Sequence, residues 1–228
     1  MIPLLMTRPL ARSKRFVADL PDALKAVVTP SYAPMWRMER GAPAPEFDAA
    51  IITSANGVVF GPEPQGRRAF CVGEATTARA RDAGWDAQMA GPNADGLVQY
   101  LVQTRPAAHM MHLSGARTRG DIVERLRAAG LNAQRHIAYV QHPLPLTEDA
   151  RALLQAGPTL VPLFSPDSAA HFASEAPQTG QAHIAAISRS AADALGSFPS
   201  VRLVIARTPD AQGIVAALDS LVHELLAG

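Results

Sequence analysis

The sequence predicts an α/β protein of two lobes, each a parallel sheet flanked by helices, joined by a two-stranded extended linker. Three observations carry that prediction. Short apolar runs alternate with longer helical patterns, the rhythm of parallel sheets covered on both faces. A two-part pattern occurs twice, and two Pro-rich extended stretches interrupt the rhythm.

Taken in order, the predicted strands are Ile2–Met6, Ala49–Thr53, Ala69–Val72, Ala87–Ala90, His109–Leu113, Ala133–Val140, Thr159–Phe164, His183–Ile187 and Val201–Ile205. Each is apolar and bounded by turn residues. Between them lie helices. Ile122, Leu126 and Ala129 fall on one face of the segment from Arg117 to Ala129, and Gly130 supplies its stop. Ile214, Leu218, Leu221, Val222 and Leu225 recur at helical spacing over Asp210–Leu226. Gly41–Pro45 and Gly61–Gly66 read as surface loops.

The repeated pattern is an apolar run ending in Ser and a helix start, followed by a second apolar run ending in a small-residue turn into an Ala-rich helix. Its first copy runs from Ala49 through Ser54 and Gly73 to Ala80, its second from Leu160 through Ser165 and Ser188 to Leu195. The similar spacing points to an internal duplication. Two related lobes would face matching strand-to-helix turns onto a shared cleft. Unpaired N–H groups and the positive helix end at each turn suit a polyanion.

The Pro-rich stretches Val28–Trp36 and Ile137–Pro145 are held extended by their prolines, which makes them paired crossings between lobes. The first lobe then comprises residues 1–30 and 145–228, the second is an insertion over 37–138, and 31–36 and 139–144 are the linker strands.

Composition narrows the function classes. The chain has 228 residues, 48% of them apolar and 18% charged, so it buries a core and is not disordered. A formal net charge of +1 and the lack of like-charge blocks argue against nucleic acid or a membrane as partner. The apolar start is shorter than a signal-peptide core, and the single Cys71 fits a reducing, cytoplasmic setting as a packed thiol. The seven His residues lack zinc-site spacing, so no metal is expected.

Several motifs together resemble the uroporphyrinogen-III synthase family. They are Leu5-Met6-Thr7-Arg8-Pro9, Ile52-Thr53-Ser54-Ala55-Asn56-Gly57-Val58, Val72-Gly73-Glu74-Ala75-Thr76-Thr77-Ala78 and Gly115-Ala116-Arg117-Thr118-Arg119-Gly120-Asp121-Ile122. Tyr139 in Ile137-Ala138-Tyr139-Val140, the Phe164-Ser165-Pro166-Asp167-Ser168-Ala169 turn and the closing helix after Thr208-Pro209 complete the set. Each fragment is weak alone; their order and spacing make the signal. Ser188, Ala191 and Asp210 depart from the family pattern, standing where Gly, Thr and Thr are usual.

The resemblance implies cyclisation of linear hydroxymethylbilane to uroporphyrinogen III, with inversion of the last ring through a spiro intermediate and loss of water. It implies no cofactor, a small-molecule tetrapyrrole polycarboxylate as partner, and catalysis by geometric selection between two nearby carbons. Tyr139 is the candidate catalytic residue, its phenol donating a hydrogen bond to the departing hydroxyl. Candidate carboxylate-binding residues are Arg8, Ser54, Asn56, Gly73, Thr76, Arg119, Ser165, Ser188, Arg189 and Ser190. For Thr76 the competing role is satisfying its own helix start, and for Tyr139 it is packing on the linker. Trp36 and Trp85 are read as packing residues. A monomer is expected. The rival class is a cytoplasmic two-lobed sensor that binds an anionic small molecule without reacting with it.

Overall fold

A computed structural model describes residues 1–117, 120–178 and 180–227. The chain divides into two compact units, Met1–Arg37 with His142–Gly228, and Met38–Gln141. It opens with β1 (Ile2–Met6), α1 (Leu10–Ala18), α2 (Asp22–Lys25) and β2 (Val28–Tyr32). There follow β3 (Trp36–Arg40), β4 (Ala49–Ile52), α3 (Ala55–Phe60), β5 (Arg68–Val72), α4 (Glu74–Asp82), β6 (Asp86–Gly91) and α5 (Ala94–Thr104). Then come β7 (Met110–Gly115), α6 (Ile122–Ala128), β8 (Ala133–Pro143), α7 (Glu148–Ala156), β9 (Thr159–Leu163) and α8 (Pro166–Glu175). β10 (Ala182–Ala186), α9 (Arg189–Asp193), β11 (Arg202–Ile205) and α10 (Ala211–Ala227) close the chain.

The first unit carries a sheet of order β11-β10-β9-β1-β2, all pairings parallel. Strand residues alternate between two apolar layers, as the two-residue period requires. Leu5, Val161, Leu163 and Ile184 pack with Ala150 and Leu154 of α7 and Phe172 of α8. Leu4, Met6, Leu160 and Ala185 pack with Phe16 of α1 and Ile214, Leu218 and Leu221 of α10. Fully burying such a Leu or Phe stabilises by about 1.5–3 kcal/mol.

The second unit carries the order β3-β8-β7-β4-β5-β6, with parallel pairing from β8 to β6. Ala50, Ile52, Cys71, Met111 and Leu113 face Val58 of α3 and Ala80 of α4. On the other side, Ile51, Phe70 and Met110 face Leu97 and Leu101 of α5 and Ile122 and Leu126 of α6.

Without β3, the two sheet orders are one arrangement entered at different points of the chain. Unit two runs β4, β5, β6 outward and then β7, β8 on the other side of β4; unit one lays down β1, β2 first and β9, β10, β11 last. The repeated sequence pattern occupies equivalent places, β4-α3-β5-α4 and β9-α8-β10-α9. Pro162 sits within the interior strand β9, in register with Ala185 of β10. Thr159 N–H donates to Gln181 O and Leu163 O accepts the Ile187 N–H, both on the β10 side, so the alternation of the strand turns the donorless nitrogen of Pro162 toward β1.

Three expectations are corrected here. Ser31 and Tyr32, expected in a linker, pair with Leu5 and Met6 as the end of β2. That strand lies at the sheet edge, where Pro30 is tolerated. Tyr139, expected in a linker strand, groups with the second unit and packs in its core. The helix expected from Arg117 begins only at Ile122, because Gly120 and Asp121 have positive φ, 91° and 42°, which no right-handed helix admits. The unit boundaries fall inside β3 and β8.

Candidate active site

In open parallel sheets, a crevice forms beyond the carboxyl ends of two adjacent strands whose connections leave in opposite directions. In unit two those strands are β4 and β7. Ser54 follows β4 in extended conformation, φ −156° and ψ 156°, as the residue capping α3, yet its hydroxyl makes no capping bond. Its Oγ instead lies 3.4 Å from Tyr139 Oη. These two candidates, 85 positions apart in sequence, are brought together.

Tyr139 is seated by its surroundings. Its side chain is buried, with the ring 5.5 Å from that of Phe60 and filling the space that a Cβ on Gly115 would need. The pairing of β7 with β8 slips after Ser114, so that Ile137 lies opposite Ser114 while Tyr139, not Ala138, lies opposite Gly115. This bulge sets a large ring against the residue without a side chain. Arg40 fixes the short helix beside it, donating to the carbonyls of Val59 (3.0 Å), Phe60 (2.7 Å) and Gly61 (2.7 Å) at the C-terminal end of α3. Those are carbonyls a helix end leaves unpaired.

Two residues that the sequence reading passed over underlie this corner. His112, nearly sealed from solvent on β7, places Nε2 3.3 Å from Thr53 Oγ1. Burial first, and then the Arg135 guanidinium, push its pKa down to about 4, against an upward pull from Glu124. The imidazole is therefore neutral when folded. An unfolded His titrates near 6.5, so between that pH and about 4 the unfolded chain binds more protons, and stability falls as pH drops through this window. The expected loss is about 3 kcal/mol in all. Urea titrations at neutral and acid pH should show His112→Asn losing less stability on acidification than the parent protein. The second residue is Arg135, which binds the end of β7.

Around the same crevice, Asn56 lies half-buried in the first turn of α3. Gly73 caps α4 at φ 73°, a conformation that favours glycine although the space beside it is open. The self-satisfying role weighed for Thr76 belongs to its neighbour: buried Thr77 donates to Gly73 O at 2.8 Å. The half-buried Thr76 keeps its hydroxyl out of that bond. Arg119 lies outside the described residues. Cys71 is fully buried, and burial raises its thiol to about 11, which suits packing rather than nucleophilic work.

In unit one the corresponding strands are β1 and β9. Arg8 follows β1 and lays its guanidinium 3.9 Å above the Phe164 ring. Burial, and then Arg12, lower its pKa to about 10, so it stays charged at neutral pH. Ser165 differs from its sequence counterpart Ser54: its Oγ accepts the Ser168 N–H at 3.1 Å and donates to Ser168 Oγ at 2.9 Å. Ser188 accepts the Ala191 N–H at 3.2 Å, with Ser190 Oγ 3.0 Å away. Both hydroxyls are occupied as helix caps, which distinguishes Ser165 from Ser54, its counterpart in the repeat. Ser165→Ala should destabilise by about 1 kcal/mol and Ser54→Ala by less, a difference urea denaturation resolves.

Charge separates the turns further. The first turns of α4 and α8 carry Glu74 and Asp167, which oppose a bound carboxylate, whereas those of α3 and α9 carry no acid. Arg189 and Ser190 open α9. The favourable turns are therefore Ser54–Asn56 and Ser188–Ser190. Asp210, one of the departures, caps α10 by accepting the Gly213 N–H at 2.8 Å, a bond that lowers its pKa. Trp36 packs on the His171 ring and Trp85 on Phe47, as expected of packing residues. Among the described residues no group of three or more His, Cys, Asp and Glu is placed to hold a metal ion, and no helix is long and apolar enough to cross a membrane.

Two parallel sheets of one arrangement, with hydroxyl-bearing turns at the strand ends, define a tandem α/β protein. The family model described as uroporphyrinogen-III synthase HemD matches residues 20–216. The chain belongs to that family. Its fold is similar to the uroporphyrinogen-III synthetase of Helicobacter pylori, with a TM-score of 0.69, 14% identity, and coverage of 97% of this chain and 100% of that one. A mutant uroporphyrinogen III synthase from the extremely thermophilic bacterium Thermus thermophilus superimposes with a TM-score of 0.54 at 15% identity, both chains covered in full. A comparison with curated proteins finds no match.

Proposed function

We propose that this chain closes linear hydroxymethylbilane to uroporphyrinogen III, with Tyr139 acting at the departing hydroxyl. The observation that carries the assignment is the family match over residues 20–216, which also sets aside the non-catalytic sensor. In the reaction, the first pyrrole nitrogen pushes out the hydroxyl, which leaves with a proton as water and generates an azafulvene. The substituted carbon of the last ring attacks it to give a spiro intermediate. Fragmentation and reclosure at the free carbon, with loss of that carbon's proton, invert the ring.

Hydroxide is a poor leaving group, so a donor aimed at it lowers the barrier most at that step. The phenol of Tyr139 is that donor, and Ser54 orients it across their 3.4 Å approach. Substrate carboxylates are taken mainly by N–H groups of the acid-free turns at Ser54–Asn56 and Ser188–Ser190, while the turns at Gly73–Thr76 and Ser165, which carry Glu74 and Asp167, contribute less. Arg8, Arg119 and Arg189 add charge. Each charge-assisted bond contributes about 1.5–3 kcal/mol, so a few fix the orientation. We further propose that the enzyme works as a cytoplasmic monomer.

Incubation with freshly prepared hydroxymethylbilane, followed by separation of the oxidised porphyrin isomers, tests the assignment. The inverted isomer III should dominate. A mixture no different from that formed in buffer would overturn it.

A further inference from the structure

The corner that holds Tyr139 is closed by a guanidinium. Arg135 lies on β8, four positions before Tyr139, and reaches across to the end of β7. Its Nε donates to Ser114 Oγ at 3.1 Å, and its Nη2 donates to Gly115 O at 2.8 Å and to Ala116 O at 2.6 Å. These three consecutive residues flank the register slip that sets Tyr139 opposite Gly115. Ser114 Oγ also donates to Gly115 O at 3.2 Å, and the Ala116 N–H donates to Tyr139 O at 3.0 Å, so the slipped segment is bonded from both sides.

The planar guanidinium is suited to this task, because its fixed fork satisfies several acceptors at once with little entropy lost per bond. A bulge held only by backbone pairing would be free to revert to the regular register. A shift of one residue would turn Tyr139 to the other face of the sheet.

We propose that Arg135 is a positioning residue for ring closure: by clamping Ser114, Gly115 and Ala116 it holds the bulge that presents the Tyr139 hydroxyl to the departing group. Arg135 touches no substrate in this scheme and acts through Tyr139, so the inference rests on Tyr139 acting in the reaction.

The test is a double-mutant cycle on the full chain, read as kcat and KM for hydroxymethylbilane alongside a urea denaturation curve. Arg135→Ala should lower kcat about 10- to 100-fold with KM changed little, since misplacing a reacting group costs that much. Free guanidinium at millimolar concentration should restore part of the loss, which it would not do for a residue needed only for folding. In a Tyr139→Phe background the same substitution should cost less than about twofold. Should Arg135→Ala not fold, Arg135→Lys serves in its place: it keeps the charge without the fork, and its kcat should fall while it stays folded.

An unchanged kcat for Arg135→Ala in a protein where Tyr139→Phe is impaired, or an additive loss in the double variant, overturns the proposal and leaves the reading of Tyr139 intact. An unchanged kcat for Tyr139→Phe alone overturns that reading instead.

Discussion

Tyr139→Phe is expected to lower kcat about 100-fold while KM changes little, because the lost hydroxyl acts on the leaving group and not on the carboxylates. The substitution removes one oxygen and leaves the ring, so its contacts with Phe60 and Gly115 persist and the fold is retained. That oxygen lies 3.4 Å from Ser54 Oγ, a distance at which little stability is lost. Isomer III should remain the product of whatever turnover survives, since carboxylate-binding turns are untouched. Single-turnover rates of ring closure check this directly, and closure at the parent rate would remove Tyr139 from the chemistry.

A single methyl group at Gly115 should do comparable damage from the opposite side. A Cβ built there lies 2.7 Å from Tyr139 Cε2, 2.8 Å from Cζ and 3.1 Å from Oη, well inside contact distance. The ring cannot yield easily: β7, which carries Gly115, is pinned to β8 by Arg135, and Phe60 packs against the ring. Gly115→Ala is therefore expected to destabilise by about 1–3 kcal/mol through overpacking. It should also displace the hydroxyl enough to cut kcat by about 10- to 100-fold. Gly73→Ala is the informative control. Nothing lies within 4 Å of its added Cβ, so only the positive φ is penalised. Its cost should be near 1 kcal/mol, on the order expected for a strained backbone position, with Tyr139 left in place. Urea midpoints for the pair separate crowding of the ring from backbone strain.

Much of this arrangement was legible in the sequence, because parallel strands buried on both faces are written as continuous apolar runs. Ala49–Ile52 and Leu160–Leu163 are such runs, and the Ser that ends each marks a helix start in the structure. The resemblance of the Ile137–Val140 segment to a family motif singled out Tyr139. What escaped notice depends on pairing between distant segments. Val28–Trp36 reads as a crossing because of Pro30 and Pro34, yet its first five residues form an edge strand, which accommodates proline.

Arg135 carries no local mark of its role, since its acceptors sit 19 to 21 positions away on another strand and the turn after it. His112 reads as one scattered histidine until burial beside Thr53 makes it a neutral strut. Ser54 and Ser165 occupy the same place in the repeat, and only the packed neighbours tell them apart. Ser54 finds a phenol across the sheet, while Ser165 finds the amide of its own helix. Asp210, read as a departure from the family, is explained locally by the Gly213 N–H it accepts.

The position of uroporphyrinogen III in a crystal of the complex tests the role of this crevice most directly. A pyrrole ring of the product is expected within hydrogen-bond reach of Tyr139 Oη, with a carboxylate on the N–H groups at Ser54 or Asn56. Product bound away from the carboxyl ends of β4 and β7, with the Tyr139 hydroxyl still facing only Ser54, would contradict it.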